Sequence, residues 1–418
     1  MSEQEIPVFI QTAFPQQPDL DTWQQVTGEE ADMVYQMTLR NELSGGTPVV
    51  RDFEKKWRDW CGLDYSITTM NGSSALYCAY FGLGVGPGDE VICPAYTWIC
   101  TIAPAMFLGA RPGFVESDPK TLQIDPEDVR KKITAKTRAI VVVHLWGNVC
   151  DMDRLIAISK ETGIPILEDC SHAHGARYDG RVVGSIGQVG VWSLQGSKPV
   201  SAGEGGILAT NDAEIFERAC LAGQVNRMGG LDLVTKTYAH LQPLGLGMKF
   251  RAHPLGIGIA AIQFRKLPAL NQKRKEYVEA VEARVKQIPG LNTVRMYDKA
   301  ERGGYYAFPI VYEPESGNSP GTAAVIDAIR QQGLAASVSP YQLLHRLPLF
   351  VNGFDMFTGE RGPLSGDYAG YREGDFPRIE ETFGRLIFLP MLSAPVPDAV
   401  DRIAAMLERA MAEVQSQR

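Results

Sequence analysis

Residues 165–169 read PILED, and residues 190–210 read GVWSLQGSKPVSAGEGGILAT. The first stretch is a short apolar run that ends in two acids, the second of which is Asp169. The second stretch has Ser193 five residues before Lys198 and a glycine cluster after it. A pyridoxal-phosphate site needs a hydroxyl for the phosphate, a lysine that bonds the aldehyde and a carboxylate at the ring nitrogen. The pattern therefore predicts such a site, with Lys198 and Asp169 as its catalytic residues.

Around these residues, from residue 89 to about 210, short β-rich runs alternate with helical patterns. This alternation is typical of an α/β domain with a mostly parallel sheet. Asp125, followed by Pro126, marks the start of one helix. Gly163, two residues before Pro165, marks the end of the next helix. Asp169 then follows a buried strand at the edge where open α/β sheets bind ligands. We predict strands at residues 90–93, 112–116, 139–145, 165–168, 190–193 and 206–210.

The rest of the chain predicts a second, smaller α+β domain. A long charged helical pattern is followed by a strand, a loop rich in Pro, Gly and Ser, and a helix, at residues 267–288, 305–312, 314–321 and 323–332. A final amphipathic helix is indicated by apolar residues three or four apart, namely Val400, Ile403, Leu407, Met411 and Val414. We divide the chain into an N-terminal segment, a large cofactor-binding α/β domain and a small C-terminal domain, at residues 1–35, 36–265 and 266–418.

Composition excludes several classes of function. The 418 residues carry a formal net charge of −8 and show no basic stripe, which argues against nucleic-acid binding. The longest apolar runs are too short to span a bilayer, and the N-terminus lacks the pattern of a signal peptide. The seven cysteines are dispersed and form no C-x-x-C pair. This usage indicates reduced thiols, and we predict a cytoplasmic protein that does not bind membranes.

Two further features fit the same cofactor. Residues 71–74 read NGSS and precede a helical run at 75–83, so backbone N–H groups and the hydroxyls of Ser73 and Ser74 meet at a helix N-terminus. Such a terminus binds anions, and a phosphate is the anion that this cofactor brings. Trp98 follows the end of a strand and is suited to stack on the cofactor ring.

Each of these features has a commoner explanation when it stands alone. A single lysine is usually solvated, an Asp after a strand is as often a helix cap, and a Ser-Gly turn usually only caps a helix. Their occurrence together, in the order that one cofactor requires, favours the functional interpretation. Residues 82–88 read GLGVGPG but follow a helix rather than a strand, unlike a dinucleotide-binding loop. The six histidines have no metal-ligand spacing, and we predict no metal site.

From residue 36 to the C-terminus the chain resembles the fold-type-I pyridoxal-phosphate aminotransferases of ketosugars and cyclitols, the DegT/DnrJ/StrS family. The resemblance rests on NGSSAL, GPGDEVICP, YTW, VHLWG, EDCSHAHGA and KPVSAGEGG, which begin at residues 71, 86, 96, 143, 168 and 198. It implies that the cofactor is bonded by Lys198, paired at its ring nitrogen by Asp169, stacked by Trp98 and held at its phosphate by Ser73, Ser74 and Ser193.

Two positions indicate where the chain stands within this family. His172 occupies a position near the cofactor's 3′-oxygen where many members have glutamine, and histidine there looks like the 3-amino-5-hydroxybenzoate synthase branch. Residues 247–251 read GMKFR, so Lys249 replaces the asparagine of the family's Gly-x-Asn-x-Arg loop. In the family this loop crosses to the partner subunit's phosphate, which implies a homodimer with shared active sites. Whether Lys249 reaches the neighbouring site stays open.

The resemblance implies transfer of an amino group from L-glutamate or L-glutamine to a cyclic ketone, in the biosynthesis of amino sugars, aminocyclitols or antibiotics. The acceptor is a ketosugar, a nucleotide-linked ketosugar or a ketocyclitol. A rival function is that of a pyridoxal-phosphate-dependent ketosugar dehydratase, although dehydratases of this family replace the lysine by histidine. The resemblance also leaves open a 3-amino-5-hydroxybenzoate synthase-like enzyme and a non-catalytic sensor, and the intact Lys198 and Asp169 count against a sensor.

Overall fold

A computed structural model describes residues 14–227, 230, 233–242, 244–314 and 319–416. The helices are α1 (Gly28–Leu39), α2 (Pro48–Cys61), α3 (Gly72–Gly82), α4 (Ala103–Phe107), α5 (Pro126–Lys132), α6 (Met152–Thr162), α7 (Ala213–Gly223), α8 (Pro254–Val285), α9 (Thr322–Gln331), α10 (Pro348–Asn352), α11 (Pro377–Phe383) and α12 (Ala399–Ser416). The strands are β1 (Tyr65–Thr69), β2 (Glu90–Pro94), β3 (Arg111–Val115), β4 (Thr137–Val143), β5 (Ile166–Asp169), β6 (Arg177–Tyr178), β7 (Arg181–Val182), β8 (Val189–Ser193), β9 (Gly206–Thr210), β10 (Leu291–Thr293), β11 (Ala300–Glu301), β12 (Phe308–Tyr312) and β13 (Leu386–Leu389).

The central sheet has seven strands in the order β1-β9-β8-β5-β4-β2-β3. Strands β3, β2, β4, β5 and β8 are parallel, whereas β9 is antiparallel to both of its neighbours. The six strands predicted between residues 90 and 210 are all in this sheet, with ends that differ from the prediction by no more than two residues. The prediction of an α/β fold with a mostly parallel sheet is confirmed, but β1 was not predicted.

Helices cover both faces of this sheet, and the apolar residues of each strand alternate between the two faces. On one face Val141, Leu167 and Val191 pack with side chains from α3 and α7. On the other face Ile140 and Trp192 pack with side chains from α2, α6 and α8. Because both faces are covered, the carboxyl edge of the sheet is where side chains can face an open cavity.

The C-terminal part has its own core. Strands β10, β12 and β13 form an antiparallel sheet that packs with α9, α12 and the second half of α8. Helix α8 begins at Pro254, capped by His253, and so starts 13 residues before the predicted helix at 267. The predicted boundaries at 35/36 and 265/266 fall inside α1 and α8, and the division into domains stays a prediction. The predicted loop at 314–321 lies partly outside the described residues.

No helix in the described part of the chain is both long enough and apolar enough to cross a membrane.

Candidate active site

A cavity of about 560 Å³ lies at the carboxyl edge of the central sheet. The ends of β1, β2, β5 and β8 lead directly into it, because these strands all point the same way. Of the eight predicted site residues, six line this cavity: Ser73, Trp98, Asp169, His172, Ser193 and Lys198. Side chains that are far apart in the sequence are thus brought to one place.

The first turn of α3 forms one end of the cavity. Asn71 caps the helix, since its side chain accepts a hydrogen bond from the Ser74 N–H at 2.8 Å. The helix N-terminus is close to the end of β8, and a Cβ added to Gly72 would lie 2.8 Å from the Cβ of Ser193. Only glycine permits this approach, which brings the N–H groups of α3 and the hydroxyls of Ser73 and Ser193 to one end of the cavity.

Asp169 ends β5 and is almost completely buried. Its Oδ2 accepts a hydrogen bond from the Thr101 hydroxyl at 2.8 Å, and its Oδ1 accepts one from the Ser171 N–H at 3.1 Å. These two bonds fix the plane of the carboxylate at the floor of the cavity. A carboxylate held in this way can keep a proton on a ring nitrogen that faces it.

Lys198 is buried, with 7% of its surface exposed. Its Nζ lies 3.6 Å from the centre of the Tyr306 ring, a cation–π contact. Burial lowers the pKa of Lys198, and this effect outweighs the opposing contributions of Tyr306 and Asp169. A depressed pKa makes the neutral, nucleophilic amine accessible at lower pH than for an exposed lysine.

His172 contacts two aromatic rings. The ring of Trp146 is nearly parallel to that of His172 with a centroid distance of 5.1 Å, and the ring of Tyr306 is stacked on it at 4.1 Å. Its Nδ1 accepts a hydrogen bond from the Trp146 N–H at 3.3 Å, which leaves Nε2–H to donate to the Tyr341 hydroxyl at 3.0 Å. Burial, then the positive charge of Lys198, hold the pKa of His172 well below its usual value, so the ring is neutral.

The other two predicted residues are placed differently. The Ser74 hydroxyl bonds to the side chain and the carbonyl oxygen of Asn71, both at 2.9 Å, and so completes the cap of α3. Lys249 is exposed and pairs with Gln224 in an isolated β-bridge. Contacts of Ser74 with a phosphate and of Lys249 with a partner subunit therefore stay predictions.

Three cavity residues were missed as participants. The Thr101 hydroxyl donates a hydrogen bond to Asp169, and its position three residues after Trp98, in the turn that follows β2, is the signal that could have identified it. Tyr306 contacts Lys198 and its hydroxyl lies 2.9 Å from the Ser197 hydroxyl. Tyr341 bonds to His172, and its ring centre is 5.0 Å from that of Trp98. Tyr306 precedes β12 and Tyr341 lies between α9 and α10, where no local pattern connects either residue with Lys198.

Next to the site is a buried cluster of His144, Glu168 and Cys170, whose ligand atoms lie within 4.8 Å of one another. The Glu168 carboxylate already accepts hydrogen bonds from His144 Nε2 at 3.0 Å and from the N–H groups of Gly184 and Gly187 at 2.7 and 2.6 Å. These bonds tie β5 to the loop before β8. Glu168 thus fixes the end of β5, where Asp169 faces the cavity. The absence of a metal site stays a prediction.

The cavity fits pyridoxal phosphate by its own chemistry. An anion-binding helix N-terminus beside Ser193, a buried amine and a fixed carboxylate are the three groups that the phosphate, aldehyde and ring nitrogen of this cofactor require. The close approach of Gly72 to Ser193 leaves no side chain between the helix N-terminus and the Ser193 hydroxyl. The fold and the site therefore define a fold-type-I enzyme of the pyridoxal-phosphate class.

Comparison with known proteins agrees with this class. Residues 24–408 match the family described as DegT/DnrJ/EryC1/StrS aminotransferases. A putative L-glutamine:3-amino-2,3-dideoxy-scyllo-inosose aminotransferase of Streptoalloteichus tenebrarius is 32% identical over 342 residues, 80% of each chain. The solved structure of 3-amino-5-hydroxybenzoic acid synthase has a TM-score of 0.78 and 25% identity, covering 96% of this chain and 100% of that one. This chain belongs to the DegT/DnrJ/EryC1/StrS aminotransferase family, whose members are pyridoxal-phosphate-dependent, as the sequence predicted.

Other relatives match over a shorter length. The L-glutamine:scyllo-inosose aminotransferase of Streptomyces griseus is 43% identical over 182 residues, 44% of this chain and 43% of that protein. The chain spans about half the length of several curated relatives that it matches. The match covers 39% of the length of MosB of Rhizobium meliloti and 54% of that of a GDP-perosamine synthase of Escherichia coli O157:H7.

Proposed function

We propose that the protein transfers an amino group from L-glutamine or L-glutamate to a cyclic ketone. The observation that carries the proposal is the single cavity faced by both Lys198 and Asp169 beneath the N-terminus of α3. A non-catalytic protein has no need of a buried amine, because burial of an amine costs free energy of folding. A non-catalytic protein likewise has no need of the fixed carboxylate of Asp169 in the same cavity.

Each residue has a defined task in this proposal. The cofactor, when bound, supplies an electron sink for the bond broken at the substrate Cα. Ser73, Ser193 and the N–H groups of α3 bind its phosphate, and Asp169 keeps the proton on its ring nitrogen. Lys198 would hold the cofactor through its aldehyde carbon and, when displaced by the amino donor, would serve as the base and acid that moves a proton between the substrate Cα and the former aldehyde carbon of the cofactor. The lowered pKa of Lys198 suits it to act as a base.

The names of the relatives support a choice of substrates. Two are L-glutamine-dependent aminotransferases of an inosose, a cyclic ketone that is not linked to a nucleotide. We therefore propose glutamine as the preferred donor and a ketocyclitol as the preferred acceptor, with a nucleotide-linked ketosugar as the alternative. His172 favours a 3-amino-5-hydroxybenzoate synthase-like acceptor as a second candidate. Lys198 disfavours the dehydratase, because the family resemblance implies that dehydratases have histidine in place of this lysine.

Two substitutions test the proposal. Lys198→Ala is expected to abolish the visible absorption band of the lysine-bound cofactor and to lower multiple-turnover transamination by at least about 1,000-fold. Asp169→Asn is expected to leave the fold intact while lowering the rate by about 100-fold or more, since a neutral partner no longer favours the protonated ring. Lys160→Ala, at an exposed lysine, is the control. Transamination that survives Lys198→Ala would overturn the assignment, and a screen of donors and acceptors followed by cofactor colour identifies the substrates.

A further inference from the structure

The turn that carries Lys198 is bound by a residue from the N-terminal segment. The side-chain Nε2 of Gln25 donates hydrogen bonds to the carbonyl oxygens of Gly196 at 3.0 Å and Lys198 at 3.2 Å. The Lys198 N–H closes the turn by donating to the Gln195 carbonyl at 2.8 Å. Two carbonyl acceptors require a donor, so the amide nitrogen of Gln25, not its oxygen, must face the turn.

Gln25 is itself held by buried groups. Its backbone carbonyl accepts a hydrogen bond from Gln263 Nε2 at 2.6 Å, and the same nitrogen donates to Glu30 Oε1 at 2.7 Å. Glu30 is fully buried and also accepts from Lys266 at 2.6 Å and from the Thr27 N–H at 2.9 Å. Burial opposes ionisation of Glu30, but the bonds from Lys266 and Thr27 lower its pKa to about 2. This carboxylate is therefore charged at neutral pH and anchors the chain of bonds.

The same turn is fixed on its other side through a side chain. Ser197 donates to the Gln195 side-chain oxygen at 2.6 Å, and its hydroxyl lies 2.9 Å from that of Tyr306, whose ring covers the Lys198 amine. Gln25 thus binds the backbone of the turn, while Tyr306 contacts its side chains. Of these two contacts, only that of Gln25 comes from outside the cavity.

We propose that Gln25 is a positioning residue for Lys198, holding its Cα through two hydrogen bonds to the turn. This inference depends on the proposed function only in that Lys198 is the lysine that bonds the cofactor. A lysine side chain has four rotatable bonds, and the placement of its amine is limited by the placement of its backbone. A displacement of about 1 Å at a reacting group lowers rates by about 100-fold, so a fixed turn matters to the chemistry.

The experiment compares Gln25→Met, which keeps the size of the side chain and removes both N–H donors, with Gln25→Glu, which places acceptors against the two carbonyls. Gln24→Met, at the exposed neighbouring position, is the matched control. Three quantities are measured: hydrogen exchange of the amides at residues 196–202 in the apoenzyme, the Kd for pyridoxal phosphate, and the pH midpoint of the visible band of the holoenzyme. The first needs neither cofactor nor turnover.

For Gln25→Met we expect about tenfold faster exchange and about tenfold weaker cofactor binding, because two hydrogen bonds are lost. The midpoint of the visible band should move by about half a pH unit or more, since the surroundings of the amine change. Gln25→Glu should have larger effects, and Gln24→Met none. If Gln25→Met does not fold, Gln25→Asn serves instead, because its amide is one methylene short of the carbonyls.

Exchange, affinity and midpoint that all stay within twofold, or 0.1 pH unit, of the wild type would overturn the inference. That result differs from failure of the proposed function. If Lys198 does not bond the cofactor, the wild type itself lacks the visible band and Lys198→Ala leaves its spectrum unchanged.

Discussion

His172 and His174 are two positions apart and both are buried, but their surroundings differ. Both ring nitrogens of His172 form hydrogen bonds. Neither ring nitrogen of His174 forms a hydrogen bond of normal geometry with the described residues. The backbone of Ser193 is near the His174 ring and acts to raise its pKa. Burial, and then the charge of Lys198, lower the pKa of His174 to about 3. In the unfolded chain the same group titrates near about 6.5.

This difference predicts how stability depends on pH. Below about pH 6.5 the unfolded chain takes up a proton at His174 that the folded protein does not, so stability falls as the pH falls. The loss is about 1.4 kcal/mol per pH unit, or roughly 2 kcal/mol at pH 5. His174→Phe keeps a ring beside Trp57 and removes the titrating group. It should therefore lose roughly 2 kcal/mol less than the wild type between pH 8 and pH 5, as measured by urea unfolding.

The control is His240→Phe at an exposed position, which should follow the wild-type pH dependence. Parallel stability curves for the wild type and His174→Phe from pH 8 to pH 5 would contradict a neutral, buried His174.

At the scale of the element, the N-terminus of α3 combines a cap with a close contact. Asn71 and Ser74 form reciprocal hydrogen bonds that order the first turn, and this turn packs against the end of β8 with no side chain at Gly72. An anion-binding terminus works only when its free N–H groups converge on one point. The position of α3 relative to Ser193 therefore decides whether a phosphate is bound.

Gly72→Ala tests this position. The added Cβ would lie 2.8 Å from the Ser193 Cβ, so the helix N-terminus or the strand end must move by several tenths of an ångström. We expect about tenfold weaker binding of pyridoxal phosphate with little change in global stability, since only the anion site is displaced. Equilibrium titration of the apoenzyme measures this. Gly86→Ala, where an added Cβ meets nothing within 4 Å, should bind like the wild type, and equal affinities of all three proteins would disprove the role of the contact.

Elements were predictable where local patterns determine them. Strands of the parallel sheet are continuous apolar runs bounded by turn residues, and their ends came within two residues of the structure. Strand β1 reads YSITT and was not predicted, because its sequence is mostly polar. In the structure it pairs antiparallel with β9, and four of its five residues are buried. Helix α8 was predicted too short because its first turns are buried beside α1 and α2 rather than charged on one face.

At the scale of the whole molecule, the site joins parts of the chain that no local pattern connects. The placement of Lys198, Asp169 and Ser73 in one cavity was predictable, because each follows a strand of the sheet or precedes a helix, and the carboxyl edge of a sheet brings such positions together. Gln25 and Tyr306 reach the same site from 173 and 108 residues away, and their contacts depend on how the N-terminal segment and the C-terminal part pack on the sheet. Sequence spacing carries no information about such packing.

The last prediction concerns the loop that carries Lys249, which the family resemblance implies crosses to the partner subunit's phosphate. If the exposed Lys249 binds that phosphate, Lys249→Ala alone should lower activity by about tenfold or more. Subunits with Lys198→Ala and subunits with Lys249→Ala are then unfolded, mixed and refolded together. If Lys249 acts across a dimer, each mixed dimer has one complete site, and random pairing restores about a quarter of wild-type activity. If it acts within its own subunit, every site lacks one lysine and the mixture stays as inactive as its parents. Refolding each variant separately before mixing provides the control.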